Sequence, residues 1–242
     1  MISGLLGRKI GMTQIFDRDG NTVSVTVVEA GPCTVLEVKE TPKKIKLGFE
    51  SVKESKVNKP ATGFFKKIGL APMKTIREFR STDNASYTIG QEIKADFFKA
   101  GDFVDVVGTS IGKGFQGGMK IHHWKGGPAG HGSMHHRRRG SNGPSTDPGR
   151  VLLGMNMPRH MGDDRVTTQG LRVMNVDVEN NLILLKGSVP GGKNALVEIN
   201  RSFKKAFKAL DEERVVVEKK VNPMKQSKKG GAAAKPAAPK KK

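Results

Sequence analysis

The segment from residue 109 to residue 165, here called the extension, constrains the fold of this chain more than any other feature. It holds 13 glycines and all six histidines of the protein, and it has no glutamate. Neither the alternation typical of a strand nor the 3.6-residue repeat of a helix persists along it. A structureless loop of this length is uncommon inside a compact domain unless something else orders it. We therefore expect a long irregular extension inserted in a regular body.

Both flanks of the extension are predicted to be β-structure. Runs of strand-forming residues lie at 12–17, 22–29, 34–39, 44–50, 75–80, 102–107, 170–179, 182–186 and 195–199. Polar turns, such as DRDGN at residues 17–21, separate them and are typical of hairpins. Because no long helices alternate with these strands, the pattern favours a mainly β fold with a β-barrel over a doubly wound sheet. We expect the body to comprise residues 1–108 and 166–215, with small peripheral α/β elements.

Two short helices are also predicted. One covers residues 61–68, after Pro60. The other lies within RSFKKAFKALDEE at residues 201–213, where Phe203, Phe207 and Leu210 recur at helical spacing. Packing on the body is the simpler interpretation of this apolar face, and binding of a partner is the alternative.

Positive charge is concentrated in two places. The net charge is +20, of which residues 109–162 carry +7, with Asp147 as their single acid. Residues 219–242 carry nine lysines and no acid, whereas the other 164 residues have a net charge of only +4. Clustered cations indicate a polyanionic partner, because neutralised phosphates release condensed counterions. The basic tail, residues 216–242, has little to bury, so we expect it to be disordered in isolation.

A predicted strand runs into GKGFQG at residues 112–117, which matches the G-x-G-x-x-G fingerprint of dinucleotide-binding folds. That fold needs a helix after the third glycine and an acidic residue about 20 positions later. Here three further glycines and Pro128 follow Gly117 within eleven residues, and no acid occurs between Asp105 and Asp147. We therefore expect no nucleotide cofactor. The glycines instead let the backbone approach another surface closely.

The histidines invite comparison with a metal site. His131 and His135 are four residues apart, but no cysteine is close in sequence and no helix is predicted to place them on one face. The single cysteine, Cys33, is far from the histidines in sequence, and no catalytic serine is predicted. We expect no metal, no cofactor, no small-molecule substrate and no enzymatic activity. The single cysteine fits a reducing cytoplasm, and no apolar run is long enough to span a bilayer.

The extension has the composition of an RNA-binding segment. Its histidines and its tryptophan can stack on bases or hydrogen-bond riboses, as in the recognition of irregular RNA. A helix that reads DNA would need a regular helical sequence. The candidate RNA-binding residues are Lys113, Lys120, His122, His123, Trp124, Lys125, His131, His135, His136, Arg137, Arg138, Arg139, Arg150, Arg159 and His160. The arginine triplet is the strongest candidate for a phosphate clamp, whereas Trp124 could equally staple the extension to the body.

Six stretches, spread over about residues 1–200, resemble one known family in register. They are GLLGRKIGMTQIF at 4–16, VNKPATGFFKKIGLAP at 57–72, REFR at 77–80, GTSIGKGFQGGMKIHHWKGGPAGHGSMHHRRRG at 108–140, PRHMGDDRVTTQGLRV at 158–173 and NNLILLKGSVPG at 180–191. The family is that of the third large-subunit ribosomal protein, in its bacterial type.

The resemblance implies a six-stranded β-barrel like that of translation factors, on the solvent side of the large subunit. It implies that the extension penetrates the rRNA toward the peptidyl transferase centre, with its tip near residues 144–158. It also implies a primary rRNA-binding protein of the cytoplasmic ribosome that binds near the 3′ end of large-subunit rRNA, nucleates assembly and contacts neighbouring large-subunit proteins. The competing hypothesis is a nucleoid-type DNA-binding protein, which the Lys/Ala/Pro tail alone would suit.

Three features depart from the family. Many bacterial relatives carry a methylated glutamine at the tip, but residues 117–168 contain no glutamine, so we expect no such modification. The turn at residues 41–44 is shorter than usual, which should trim one hairpin. The lysine-rich tail beyond about residue 215 is not a family feature, and its role is open.

Overall fold

The computed structural model describes residues 2–17, 20–84 and 86–210. Its helices are α1 (Lys59–Ile68) and α2 (Gly118–His122), and 3-10 turns cover Glu54–Lys56 and Ala95–Phe97. Its strands are β1 (Gly4–Phe16), β2 (Thr22–Ala30), β3 (Cys33–Lys39), β4 (Lys44–Ser51), β5 (Met73–Arg80), β6 (Glu92–Ile93), β7 (Phe103–Thr109), β8 (Phe115–Gln116), β9 (Arg159–His160), β10 (Arg165–Asp177), β11 (Leu182–Lys186) and β12 (Leu196–Arg201). The mainly β fold class is confirmed.

Six strands are hydrogen-bonded in a closed ring. Their order is β1-β12-β7-β10-β11-β2, and β2 pairs back with β1, every pairing being antiparallel. Residues two apart in a strand share a face, and such pairs are fully shielded in three of the six strands. They are Val104 and Val106, Ile183 and Leu185, and Val197 and Ile199. These pairs form the apolar core of the ring.

Strand β1 begins eight residues before the predicted start. Leu5 and Leu6 are both fully buried, so this half of the strand shows no alternation of apolar and polar residues. Its flanking glycines are required by close packing: a Cβ atom at Gly4 would lie 2.2 Å from the carbonyl oxygen of Ile199. Glycines that appear to break a strand are here the residues that let it approach its neighbour.

A second sheet has the strand order β5-β4-β3-β6. Its buried side chains, including Ile45 and Leu47, belong to the same hydrophobic core as the ring. Helix α1 contacts this sheet where the Lys46 ammonium lies 5.3 Å from the centroid of the Phe64 ring, and its Phe65 is buried. The helix ends at Ile68, and Gly69 caps it with a left-handed φ of 75°. The predicted helix is confirmed, and it begins slightly earlier because Pro60 is tolerated in a first turn.

The helix predicted over residues 201–213 is wrong for residues 202–210, which the structure describes as non-helical. Their backbone is instead hydrogen-bonded to Arg172 of β10 and to Gly101. The Arg172 guanidinium donates to the carbonyls of Lys208 and Ala209, at 3.0 and 2.9 Å, and the Lys208 N–H donates to the Gly101 carbonyl. Phe203 is 87% exposed, so its helical spacing does not mark a buried face.

Helices in the described part of the chain are all too short or too polar to cross a membrane. The predicted basic tail, residues 216–242, lies outside the described residues, as do the last three residues of the predicted helix.

Candidate nucleic-acid interface

The extension leaves the ring at the end of β7 and returns at the start of β10. Thr109 and Arg165 lie directly opposite each other in the β7–β10 register. One step further out, the Ser110 N–H donates to the Asp164 carbonyl at 2.9 Å. The ring therefore fixes both ends of the extension at one point of its edge.

The backbone pairing continues outward from the ring as a two-stranded stem, formed by residues 110–116 and 159–164. The Lys113 N–H donates to the Met161 carbonyl at 2.8 Å, and Met161 N–H donates to the Gly114 carbonyl at 3.0 Å. Strands β8 and β9 pair beyond these bonds. A stem of this kind sets the direction in which the rest of the extension leaves the body.

Gly162 allows the two halves of the stem to cross closely. It has a φ of 76°, and a Cβ atom there would lie 2.1 Å from the carbonyl oxygen of Ile111. Any larger residue would force the stem apart. The sequence shows this glycine but gives no signal of its partner, since Ile111 is 51 residues away.

Residues 108–112 read GTSIG, which matches the G-x-S-x-G nucleophile elbow, although no catalytic serine is predicted. An elbow serine sits at a sharp turn from a strand into a helix. Here no helix follows directly, and the Ser110 hydroxyl accepts a hydrogen bond from the Asp164 N–H at 3.2 Å. This serine belongs to the stem.

Trp124 lies at the centre of a stacked cluster beyond the stem. The His122 ring stacks on the indole with centroids 5.7 Å apart and planes inclined by 25°. The guanidinium of Arg139 lies 5.3 Å from the indole centroid, a cation–π distance. A Cβ atom at Gly118 would overlap the indole at 2.0 Å, so glycine is required there. Trp124 thus packs against other residues of the extension.

Helix α2 precedes this cluster. It begins directly after Gly117, the third glycine of the fingerprint, but it is only five residues long. The next residue, His123, caps it with a left-handed φ of 56°. The short length of the helix positions His122 and Trp124 against each other.

A second backbone contact closes the loop between residues 127 and 135. The Gly127 N–H donates to the His135 carbonyl at 2.8 Å, and a ring nitrogen of His136 lies 3.0 Å from the Pro128 carbonyl. A Cβ atom at Gly127 would lie 2.4 Å from the His135 carbonyl oxygen. The contact presents Arg137 and Arg138, which are exposed, immediately after it.

The outer part of the extension, residues 140–157, is exposed throughout. A ring nitrogen of His122 lies 3.1 Å from the Met157 carbonyl and ties this part back to α2. Large apolar side chains are exposed here, with Leu153 fully so; the others are Val151, Leu152, Met155 and Met157.

Most cations of the extension have no acidic partner among the described residues; Arg165, which lies 3.6 Å from Glu198, is the exception. None of its lysines or arginines from Lys113 to Arg159 has a carboxylate within 4.0 Å among the described residues. One Nη of Arg139 is buried without a hydrogen-bond partner in this part of the chain. Unpaired cations on an exposed segment are available to phosphates.

The fifteen predicted site residues fall into four groups along the extension. Lys113, Arg159 and His160 lie in the stem; Lys120, His122 and His123 lie in or directly after α2; Trp124, Lys125, His131, His135, His136, Arg137, Arg138 and Arg139 lie on the central loops; Arg150 lies in the outer part. The structure brings His122, Trp124 and Arg139 together. Within the described residues, no three His, Cys, Asp or Glu side chains gather as a metal site.

Gly118 and Gly162 were not among the predicted site residues. Both are fixed by close contacts that shape the extension. Their only sequence signal is their place in the glycine-rich segment, which they share with eleven other glycines.

Comparison with known proteins gives one consistent family. The model of the family described as "Ribosomal protein L3" matches residues 74–178. A relative from Brachyspira pilosicoli, named "Large ribosomal subunit protein uL3", is 50% identical over 209 residues, which is 85% of this chain and 96% of the relative. Proteins of the same name from Heliobacterium modesticaldum and Carboxydothermus hydrogenoformans are also 50% identical. They match 83% and 84% of this chain, and 97% and 99% of their own lengths.

Proposed function

Because this chain belongs to the ribosomal protein L3 family, we propose that it is a structural constituent of the large ribosomal subunit that binds rRNA through its extension. The relatives are ribosomal proteins and not enzymes. The chain has no chemistry of its own in this role. It holds RNA segments in place.

The single observation that carries the rRNA-binding proposal is the exposed, unpaired charge of the extension. Residues 109–162 have a net charge of +7, and the described carboxylates leave these cations free. Two RNA helices that approach each other repel through their phosphates, and a thin cationic segment between them neutralises that repulsion. The stem sets the direction in which this cationic segment leaves the ring.

Individual roles follow from the geometry of the extension. Arg137 and Arg138 are exposed beside the Gly127–His135 contact and are suited to clamp phosphates. Arg139 and Trp124 form one cluster, so they support the loop from which the clamp projects. His122 stacks on Trp124, so base stacking on this ring would have to compete with that internal contact.

The wider proposal is that the ring is a six-stranded barrel of the translation-factor type, comprising residues 1–108 and 166–215 with the small second sheet. In this arrangement the barrel sits at the solvent side, binds near the 3′ end of the large-subunit rRNA and nucleates assembly. The extension reaches from it toward the peptidyl transferase centre, and neighbouring large-subunit proteins and rRNA are the partners.

Co-sedimentation with large subunits through a high-salt wash tests the proposal. The extension can be excised by joining Ser110 to Asp163 through an Asn-Gly turn, because these residues are already hydrogen-bonded at 3.2 Å. At about 1 M salt the Debye length is only about 3 Å, so exposed charge contacts are screened, whereas a threaded extension holds. We expect the intact protein to be retained and the excised variant to be released.

The matched control is a chain that ends at Leu210 and so lacks the basic tail. Its retention after the wash would show that the extension, and not the tail, anchors the protein. Clean release of the intact protein by salt would contradict the proposal. Equal binding of duplex DNA and structured rRNA at moderate salt would favour a nucleoid-type DNA-binding protein.

A further inference from the structure

A second concentration of positive charge lies on the body, around α1. Residues 53–74 contain six lysines and one glutamate, a net charge of +5. Residues 1–108 and 163–218 together have a net charge of only +4, so those of them outside residues 53–74 sum to −1. The excess positive charge of the body therefore comes from residues 53–74.

The lysines of this region differ from those of the neighbouring sheet in their partners. Lys39 and Lys44 both bind Glu78, at 2.7 and 3.5 Å. Around α1, only Lys66 and Lys74 have a carboxylate within 4.0 Å among the described residues. Four exposed lysines have none; they are Lys53, Lys56, Lys59 and Lys67. A lysine that is already paired with a carboxylate of the protein is less available to another anion, whereas these four lysines are free to bind one.

A groove runs between the 3-10 turn Glu54–Lys56 and α1. Its volume is about 510 Å³. One wall is a single face of the helix, with Lys59, Thr62, Gly63 and Lys66 at helical spacing. The other wall is formed by Glu54, Ser55 and Val57. The lining is thus two cations, two hydroxyls and one carboxylate, which Lys66 faces at 4.0 Å.

Gly63 is a helix-interior glycine that the chain itself does not require. A Cβ atom there would meet no atom within 4 Å, and the helical φ needs no glycine. Glycine inside a helix destabilises it relative to alanine. Since no internal contact accounts for that loss, the missing side chain is best explained by an external backbone that approaches this face of α1.

From these observations we propose that the α1 groove is a second RNA-binding surface. Lys59 in its lining and Lys56, which lies between the lining residues Ser55 and Val57, would hold a phosphodiester backbone over Gly63. The inference rests on the proposed rRNA-binding function and adds a site outside the extension. A protein partner would need an apolar or aromatic centre, but Val57 is the single large apolar residue of the lining. Spaced lysines and hydroxyls suit phosphate oxygens.

Salt dependence of binding measures the number of phosphate contacts. The probe is an in vitro transcript of bacterial large-subunit rRNA, bound by the full-length protein at several salt concentrations. For K56Q/K59Q, the loss of two contacts should reduce the slope of log K against log salt by about 1.4–1.8. Between 50 and 200 mM salt, the wild type should lose about tenfold more affinity than this variant.

The matched control is K39Q/K44Q, which removes the same charge from lysines that Glu78 already pairs. Its slope should equal that of the wild type. A second variant, G63A, changes no charge. It should raise the Tm of the free protein by a few degrees and lower the affinity for the transcript several-fold, because a methyl group then projects from the helix wall of the groove.

Equal slopes for K56Q/K59Q and K39Q/K44Q would overturn the inference, as would a G63A variant that binds the transcript with undiminished affinity. If K56Q/K59Q lost retention on large subunits with an unchanged slope on the transcript, the groove would bind an acidic protein instead. A wild-type protein that bound the transcript no better than duplex DNA would sink the proposed function itself. Normal wild-type binding that depends on the extension alone would leave that function standing and remove only this site.

Discussion

Cys33 shows how burial sets the chemistry of a single residue. Its thiol is fully buried at the start of β3 and lies 3.4 Å from the Leu6 carbonyl. Burial raises the pKa of the thiol to about 12, and the Leu6 hydrogen bond opposes this only in part. The folded protein therefore keeps Cys33 protonated at physiological pH, and this cysteine is a core residue and not a reactive one.

The stability of the fold should consequently fall at alkaline pH in a way that depends on Cys33. The unfolded thiol ionises near pH 9, whereas the folded one stays protonated to about pH 12. High pH thus favours the unfolded chain, by up to about 1.4 kcal/mol per pH unit in this window. Denaturant unfolding at pH 8, 9.5 and 10.5 would measure the effect. The C33A variant should lack this component, and identical pH slopes for both proteins would contradict the assignment.

At the scale of elements, the strands were predictable where polar turns bracket an alternating run. Strand β11 was predicted with its observed bounds, and β4 to within one residue. The first half of β1 was missed because Leu5 and Leu6 are buried together. A local pattern also misplaced a helix on residues 202–210, since bonds from Arg172 hold that segment.

The candidate site was predictable in composition but not in geometry. Its bounds and its charge follow from the glycines and cations that set residues 109–165 apart. The cluster of Trp124 with Arg139 depends on the Gly118 contact and joins residues 15 positions apart, with no periodic signal. Sequence alone therefore left open whether Trp124 packs on the body or stacks on a base.

Lys9 of β1 hydrogen-bonds to the loop between β11 and β12. It therefore offers a test of how the body supports the extension. Its buried ammonium donates to the Val189 and Gly191 carbonyls, at 2.8 and 3.0 Å. These two hydrogen bonds fix the loop between β11 and β12 beside the point where the extension leaves β7. A Cβ atom at Gly191 would lie 3.1 Å from the Thr109 carbonyl oxygen. The loop is thus a support for the stem.

K9M should destabilise the protein by about 1–3 kcal/mol, because it leaves buried carbonyls without donors. Denaturant unfolding gives this value, and hydrogen exchange should also quicken at the amides of Ser110 and Lys113 in the stem. The control is K186M, since Lys186 is exposed; we expect its effect to stay within about 0.5 kcal/mol. Equal stabilities of the two variants would show that the Lys9 contacts carry no net stabilisation.

At the scale of the whole molecule, the hydrophobic core and the basic extension occupy different parts of the chain. The buried apolar side chains among the described residues all lie outside residues 109–165. The extension has backbone pairs in its stem and one stacked cluster, but it buries too little apolar surface to offset the entropy of ordering some fifty residues. Its order must then depend on what it binds.

Limited trypsin digestion of the free protein should accordingly cut first within residues 109–165, at Arg137, Arg138 or Arg150, and leave the ring strands intact. Cuts in the basic tail are distinguished by fragment mass and scored separately. In assembled large subunits the same arginines should be protected, because RNA contacts supply the ordering free energy that the free chain lacks. Cleavage of the free protein that is no faster in the extension than in the β-strands would mean that the extension is ordered without RNA.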